Sequence, residues 1–147
     1  MTYRPKHFTL AELVDPHFLT MPEDEVWAML DENALRAIDA LRDKFGPLLI
    51  NGRGYTESGL RRSNTKTGAK FSMHKYGRAF DLKPLGNGVT VKQMYDWIVA
   101  NQSEAYAMGI RRVEDIAYTT KGVNHWLHVD AKDTGKEWVN KIQIVKP

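Results

Sequence analysis

The chain has 147 residues, 42% hydrophobic and 27% charged, with a formal net charge of +3 and no cysteine. That length suits one domain around one core, residues 1–147, and the composition is that of a globular protein rather than a disordered or fibrous chain. A disulfide framework and a thiolate metal site are excluded, so any metal must be held by His and carboxylates. No apolar run reaches the roughly 20 residues that span a bilayer, so no membrane insertion is expected.

The opening "MTYRPKHFTL" lacks the apolar segment of a secretory signal, so synthesis in the cytoplasm is expected. Thr9 and Glu12 are spaced as a capping box and predict a short helix from Thr9. "MPEDEVWAML" carries Pro22 and three acids at its front, as a helix N-terminus prefers. "DENALRAIDALRDKFG" is the clearest helix, with Leu35, Ile38, Leu41 and Phe45 in one stripe and Gly46 as its stop. "PLLIN" reads as a short buried strand, and residues 52 to 70 read as a long Gly-, Ser- and Arg-containing loop. Loops of that length in compact domains are often functional.

"FSMHKYGRAFDL" follows, and His74 and Asp81 within it are an odd number of residues apart, on opposite faces of any continuous strand. Gly77 permits a turn between them. His74 then sits on the turn while "RAFDL" runs as a strand, Phe80 and Leu82 towards a core and Ala79 and Asp81 the other way. The pair fits either a metal site lacking its third ligand or a hydrogen-bonded turn. "TVKQMYDWIVANQ" is a further helix, with a Thr90–Gln93 capping box and a Met94, Trp97, Ile98 stripe. "GIRRVEDIAY" alternates as a strand with Ile110, Arg112 and Glu114 on one face. "HWLHVDA" alternates cleanly, Leu127 and Val129 one way and Trp126, His128 and Asp130 the other. "EWVNKIQIV" reads as a last strand at the sheet edge. Helices mostly first and strands mostly late predict an α+β fold, a small antiparallel sheet packed with N-terminal and mid-chain helices.

His128 supplies the missing third ligand, because it occupies the polar face of a strand as Asp81 does. His74, Asp81 and His128 together match a catalytic zinc site, in which three protein ligands leave the fourth position open. The basic loop "RRSNTKTGAK" offers charge to a polyanion but no aromatic platform or reading helix, so no stable nucleic-acid partner is expected.

The motif "SMHKYGRAFD" resembles the S-x-H-x-x-G-x-A-x-D signature of the zinc D-Ala-D-Ala carboxypeptidases and L-alanyl-D-glutamate endopeptidases. "WLHVD" is similar to that family's second histidine motif, "HFTLAEL" to the opening of its phage and prophage members, and "LLINGRGYTESGLRRSN" to its strand and loop before the first ligand. The resemblance implies zinc as cofactor on His74, Asp81 and His128, and hydrolysis of peptidoglycan stem peptides next to D-amino acids. It further implies a monomeric phage or prophage endolysin that acts on the cell wall after release, or as a virion component. The alternative is a non-catalytic wall-binding or virion module of the same fold. Many relatives carry an acid three residues before the second His, where this chain has His125. The general base is then Glu114, His125 or neither of them, and Glu114 is favoured by its parity on the preceding strand; Arg112, two residues earlier, is in a position to pair with it, which would depress its pKa. Relatives use the Arg of an S-G-Y-R run to bind the substrate carboxylate, and this chain reads Arg53-Gly54-Tyr55-Thr56 there. Arg53 is the candidate for that role, with the Arg61–Arg62 pair as its substitute. Ser72 is a candidate substrate contact or a turn stabiliser, and Asp130 a candidate acceptor that orients an imidazole.

Overall fold

A computed structural model describes residues 3–147, so only Met1 and Thr2 of the opening segment lie outside it. Helices α1 (Glu23–Ala28) and α2 (Glu32–Phe45) come first. Asp31 caps α2 by accepting from the Ala34 N–H, and Gly46 ends it at φ 89°. Leu35, Ile38 and Leu41 are fully buried, and Phe45 packs against the core from its edge. Before them, the Glu12 carboxylate accepts the Thr9 backbone N–H at 2.6 Å, and the segment forms a single 3-10 turn, Leu10–Glu12. Helix α3 (Val91–Ala100) has both halves of its capping box, Gln93 Oε1 accepting from Thr90 N–H and Thr90 Oγ1 accepting from Gln93 N–H.

Five strands form one sheet: β1 (Leu48–Leu49), β2 (Ala79–Pro84), β3 (Arg112–Glu114), β4 (Leu127–Asp130) and β5 (Gln143–Val145). Their order is β1-β2-β4-β3-β5. The first three pairings are antiparallel, as expected, and β5 joins β3 in parallel, so the α+β sheet is mixed. Phe80, Leu82, Val113, Leu127 and Val129 point to one face and form the core with α2, α3 and α4 (Gln102–Met108). The opposite face of β2, β4 and β3 carries Asp81, His128 and Glu114.

Three segments differ from their sequence reading. "GIRRVEDIAY" is a strand only over β3; Ile110 precedes it as a buried core residue, and Asp115 caps a short helix α5 (Ile116–Thr119). The Asp115 carboxylate takes the Ala117 N–H, and this local bond wins over continued extension. In "EWVNKIQIV" only β5 is strand, at the edge as expected, while Lys136–Trp138 make a 3-10 turn closed by the Trp138 N–H donating to Gly135 O. The α4 segment, which the strand-and-helix pattern left unassigned, ends at Gly109 with φ 117°. A Cβ there would lie 2.2 Å from the Asn33 carbonyl oxygen, so this glycine lets α4 pass against the start of α2.

Candidate metal centre

The site is built from two rows of side chains running across one face of the sheet. Asp81 stands directly opposite His128 in the β2–β4 ladder, and Ala79 stands opposite Asp130. On the other side of β4, Arg112 stands opposite Asp130 and Val113 opposite Val129, so two residues on from Arg112, Glu114 falls beside His128. One row therefore reads Asp81, His128, Glu114, and the next reads Ala79, Asp130, Arg112. The Asp81 N–H donates to Ser58 O in the preceding loop rather than across to β4. Asp81 and His128 are thus a non-hydrogen-bonded pair, the closer of the two antiparallel pairings, which draws their side chains together.

His74 reaches the same point from the turn. Ser72 caps a 3-10 turn, Met73–Tyr76, with its Oγ accepting the His74 N–H, and Gly77 closes it at φ 68°. A Cβ on Gly77 would sit 2.0 Å from the Met29 carbonyl oxygen, so both the backbone angle and the close approach require glycine here. Nε2 of His74 lies 3.3 Å from Asp81 Oδ1, and Nδ1 of His128 lies 3.0 Å from the same oxygen. Ligand atoms bound about 2.0–2.1 Å from a tetrahedral ion stand roughly 3.3 Å apart, so these separations suit one small cation. One ligand atom from each of the three residues lies within 4.8 Å of the others.

The outward nitrogens settle which atoms face that point. His74 Nδ1 lies 3.0 Å from Gly59 O, and a carbonyl only accepts, so Nδ1 carries a proton and Nε2 is the nitrogen that faces Asp81. His128 Nε2 lies 3.1 Å from Asp130 Oδ2, which leaves Nδ1 facing inwards. Asp130, its side chain fully buried, is itself gripped by Arg112 at 2.8 and 2.9 Å. This chain of Arg112, Asp130 and His128 has the form of an outer shell that orients a metal-binding imidazole. Two imidazole nitrogens, once free of their inward protons, plus one carboxylate are the donor set that zinc takes, and the residues present fit the ion.

The electrostatics follow from this packing. Burial alone would raise Asp81, but the charge of His74 and the bond to His128 hold its carboxyl well below the usual carboxylate range. Burial alone would lower His128, but the bonds to Asp130 and Asp81 push it up to about 10. Burial raises Glu114, whose Oε2 lies 3.9 Å from the inward Nδ1 of His128. The expected Arg112–Glu114 pairing is corrected: Arg112 turns to Asp130 in its own row, and the Glu114 carboxyl is raised rather than depressed.

The remaining candidates separate. Ser72 caps the His74 turn. His125 is exposed, with its Nε2–H donated to Gly122 O at 2.9 Å, and lies outside the three-residue cluster. Arg53 is exposed in a left-handed conformation, φ 54°, and lines a cleft with His125. Arg61 is the buried one: its Nε donates to Glu57 O at 2.6 Å, and Nη2 lies 3.5 Å from Asp81 Oδ2. Sequence reading named Arg61 only as a substitute for Arg53, although Ser58-Gly59-Leu60-Arg61 keeps the S-G-x-R spacing that Arg53-Gly54-Tyr55-Thr56 lacks. Gly59 also passed unnoticed; its carbonyl holds His74, and a Cβ on it would lie 2.0 Å from Leu13 O.

Comparison with known proteins agrees with this geometry. A family model described as Peptidase M15 matches residues 6–130, which span both strands and the turn that carry the cluster. No curated protein and no solved structure matches the chain. With most of its length matched and a fitting three-residue donor set at its centre, the chain belongs to the peptidase M15 family of zinc-dependent peptidases.

Proposed function

We propose that the protein is a zinc peptidase that cuts peptidoglycan stem peptides, working as a monomer of the phage or prophage endolysin type, with His74, Asp81 and His128 as its metal ligands. The observation that carries this reading is the pair of imidazoles whose outward nitrogens are tied to Gly59 O and Asp130, so that both inward nitrogens converge on Asp81. All three ligands come from one chain, which supports a monomer. The likeness of "HFTLAEL" to phage members supports the endolysin role, with synthesis in a host cytoplasm and action on the wall. Zinc, when bound, supplies Lewis-acid polarisation of the scissile carbonyl and makes water acidic enough to attack near neutral pH.

The chain supplies the rest. Glu114, next to His128 in the same row and half-buried, takes the proton from the attacking water and returns it to the leaving amine. Burial raises its pKa, which makes the carboxylate a stronger base than an exposed one and the acid a ready donor. Arg61 presents a buried guanidinium beside Asp81 and is our candidate for holding an anionic substrate group near the cut. Ser72 acts by holding the His74 turn. The test is mass spectrometry of purified muropeptides after incubation with the protein. New fragments should appear, vanish with chelator and return with added zinc. Zinc binding without cleavage of any muropeptide would leave the fold a wall-binding module and overturn this reading.

A further inference from the structure

Two of the three ligands, His74 and Asp81, are held by one short strap, Ser58–Arg61, which belongs to no helix and none of the five strands. Ser58 O accepts the Asp81 N–H at 2.8 Å, Gly59 O accepts from His74 Nδ1 at 3.0 Å, and the Arg61 N–H donates to His74 O at 3.0 Å. All three contacts use the main chain of the strap, so the places of both ligands depend on where that backbone runs. Its middle rests on the N-terminal segment, with Leu60 N–H donating to Leu13 O and Asp15 N–H to Leu60 O, both at 2.8 Å. Its Ser58 end is fixed by a single side chain. Asn51, buried just past β1, accepts the Ser58 N–H on Oδ1 at 3.1 Å and donates from Nδ2 to Val14 O at 2.8 Å. The Asn51 N–H itself donates to Glu12 O at 3.0 Å. Asn51 and Ser58 are seven positions apart, and a tight hairpin brings them together. Gly52 and Tyr55 exchange both backbone bonds, at 2.9 and 3.1 Å, around Arg53 (φ 54°) and Gly54 (φ 83°). Positive φ at both central residues is the I′ turn of a two-residue hairpin. A carboxamide suits this place because one group must accept on one side and donate on the other, and neither backbone partner can change its role.

We propose that Asn51 is a positioning residue for the metal site: its carboxamide holds the strap against the N-terminal segment, and through the Ser58 and Gly59 carbonyls it fixes Asp81 and the His74 imidazole. The proposal rests on His74 and Asp81 being metal ligands and is indifferent to which peptide bond is cut. Asn51 bonds to neither ligand and acts only through the strap. Gly59 O is the acceptor that fixes which nitrogen of the His74 ring faces Asp81. Gly59 is already so close to Leu13 that a Cβ on it would lie 2.0 Å from Leu13 O. The strap can therefore leave its place only by moving away from the N-terminal segment, and Asn51 opposes that movement by bridging the two. Once the Gly59 carbonyl is displaced, the His74 ring loses its orienting partner and Nε2 leaves the point it shares with the other two ligands.

Asn51→Leu in the full chain keeps the size of the side chain and removes both bonds. Zinc affinity, read by competition with a chromophore, should fall about tenfold or more, the usual effect of losing support behind a ligand. The His74 Nδ1–H, followed by NMR, should exchange with solvent about tenfold faster, as for the loss of one ordinary hydrogen bond. Ile98→Ala is the control for a merely structural role, since Ile98 is a fully buried core residue of α3 with no side-chain bond to lose. It should lower the urea midpoint and leave zinc affinity and His74 exchange at their wild-type values. Asn51→Asp near neutral pH keeps the Ser58 bond and loses the Val14 one, so it should show a smaller loss of both readings in the same direction. Should Asn51→Leu not fold, Asn51→Asp decides on those two readings. Wild-type zinc affinity and His74 exchange in the folded Asn51 variants, or equal losses in Ile98→Ala, would overturn the proposal. A wild type that binds no zinc would instead overturn the metal reading, and His74 exchange in the metal-free chain would still decide whether Asn51 acts on that ring.

Discussion

Replacing Asp130 with Asn tests whether the outer row of the sheet face holds the metal row in place. The Asp130 side chain is fully buried and accepts from Arg112 at 2.8, 2.9 and 3.1 Å, from His128 Nε2 at 3.1 Å and from the Lys132 N–H at 3.2 Å. Asn keeps the shape but loses the charge and turns an NH2 group towards donors that need an acceptor. Breaking a buried ion pair by removing one partner costs about 3–5 kcal/mol, and the residual 17% exposure of Arg112 places this case near the lower end. Loss of an outer-shell acceptor also weakens metal binding, typically by about 10–100-fold. Urea denaturation of the chelated protein reads the first effect and competition with a zinc chromophore reads the second. Asp133→Asn is the control, since that exposed carboxylate only accepts the Gly135 N–H. A denaturation midpoint and a zinc affinity both unmoved in Asp130→Asn would refute the idea that His128 is oriented through Asp130.

Glu114→Gln should lower kcat for muropeptide cleavage by about 10²–10⁴-fold, the usual worth of a general base, with zinc content unchanged. His125→Ala should leave kcat near the wild-type value, and a dead His125→Ala with an active Glu114→Gln would reverse the assignment. Gly77→Ala should destabilise the protein by about 2 kcal/mol or more, since the new Cβ meets the Met29 carbonyl at 2.0 Å and φ is 68°; thermal melts check this. His128 lies above its ordinary value, with burial opposing and the Asp130 and Asp81 bonds outweighing it. Its contribution to the chelated fold is therefore complete below about pH 6.5, the unfolded value, and fades as pH rises towards about 10. Zinc must displace the inward proton, so its affinity should rise over that same window, and parallel pH profiles for chelated stability and zinc affinity would contradict this.

Much of the site was readable because its signals are local. Capping boxes at Thr9–Glu12 and Thr90–Gln93, the Leu35, Ile38, Leu41 stripe and the two-residue alternation of β2 and β4 each depend on neighbours within a few positions. Parity alone placed Asp81 and His128 on one face and Glu114 with Arg112. What parity cannot supply is the partner across the sheet. Arg112 has Glu114 two residues away in sequence and Asp130 eighteen away, and register gives it to Asp130. The parallel docking of β5 and the burial of Arg61 under the loop are long-range outcomes of the same kind. The end of β3 was misjudged for the opposite reason, because the Asp115 cap is a local signal that the apparent alternation of "GIRRVEDIAY" concealed.

The central claim is that one zinc is held by His74, Asp81 and His128, and elemental analysis of protein purified without chelator tests it most directly. The account predicts close to one zinc per chain in the wild type and loss of most of it in His74→Ala, Asp81→Ala and His128→Ala alike. Stoichiometric zinc retained in any of these three variants, or a metal-free wild type that cuts muropeptides at full rate, would contradict it.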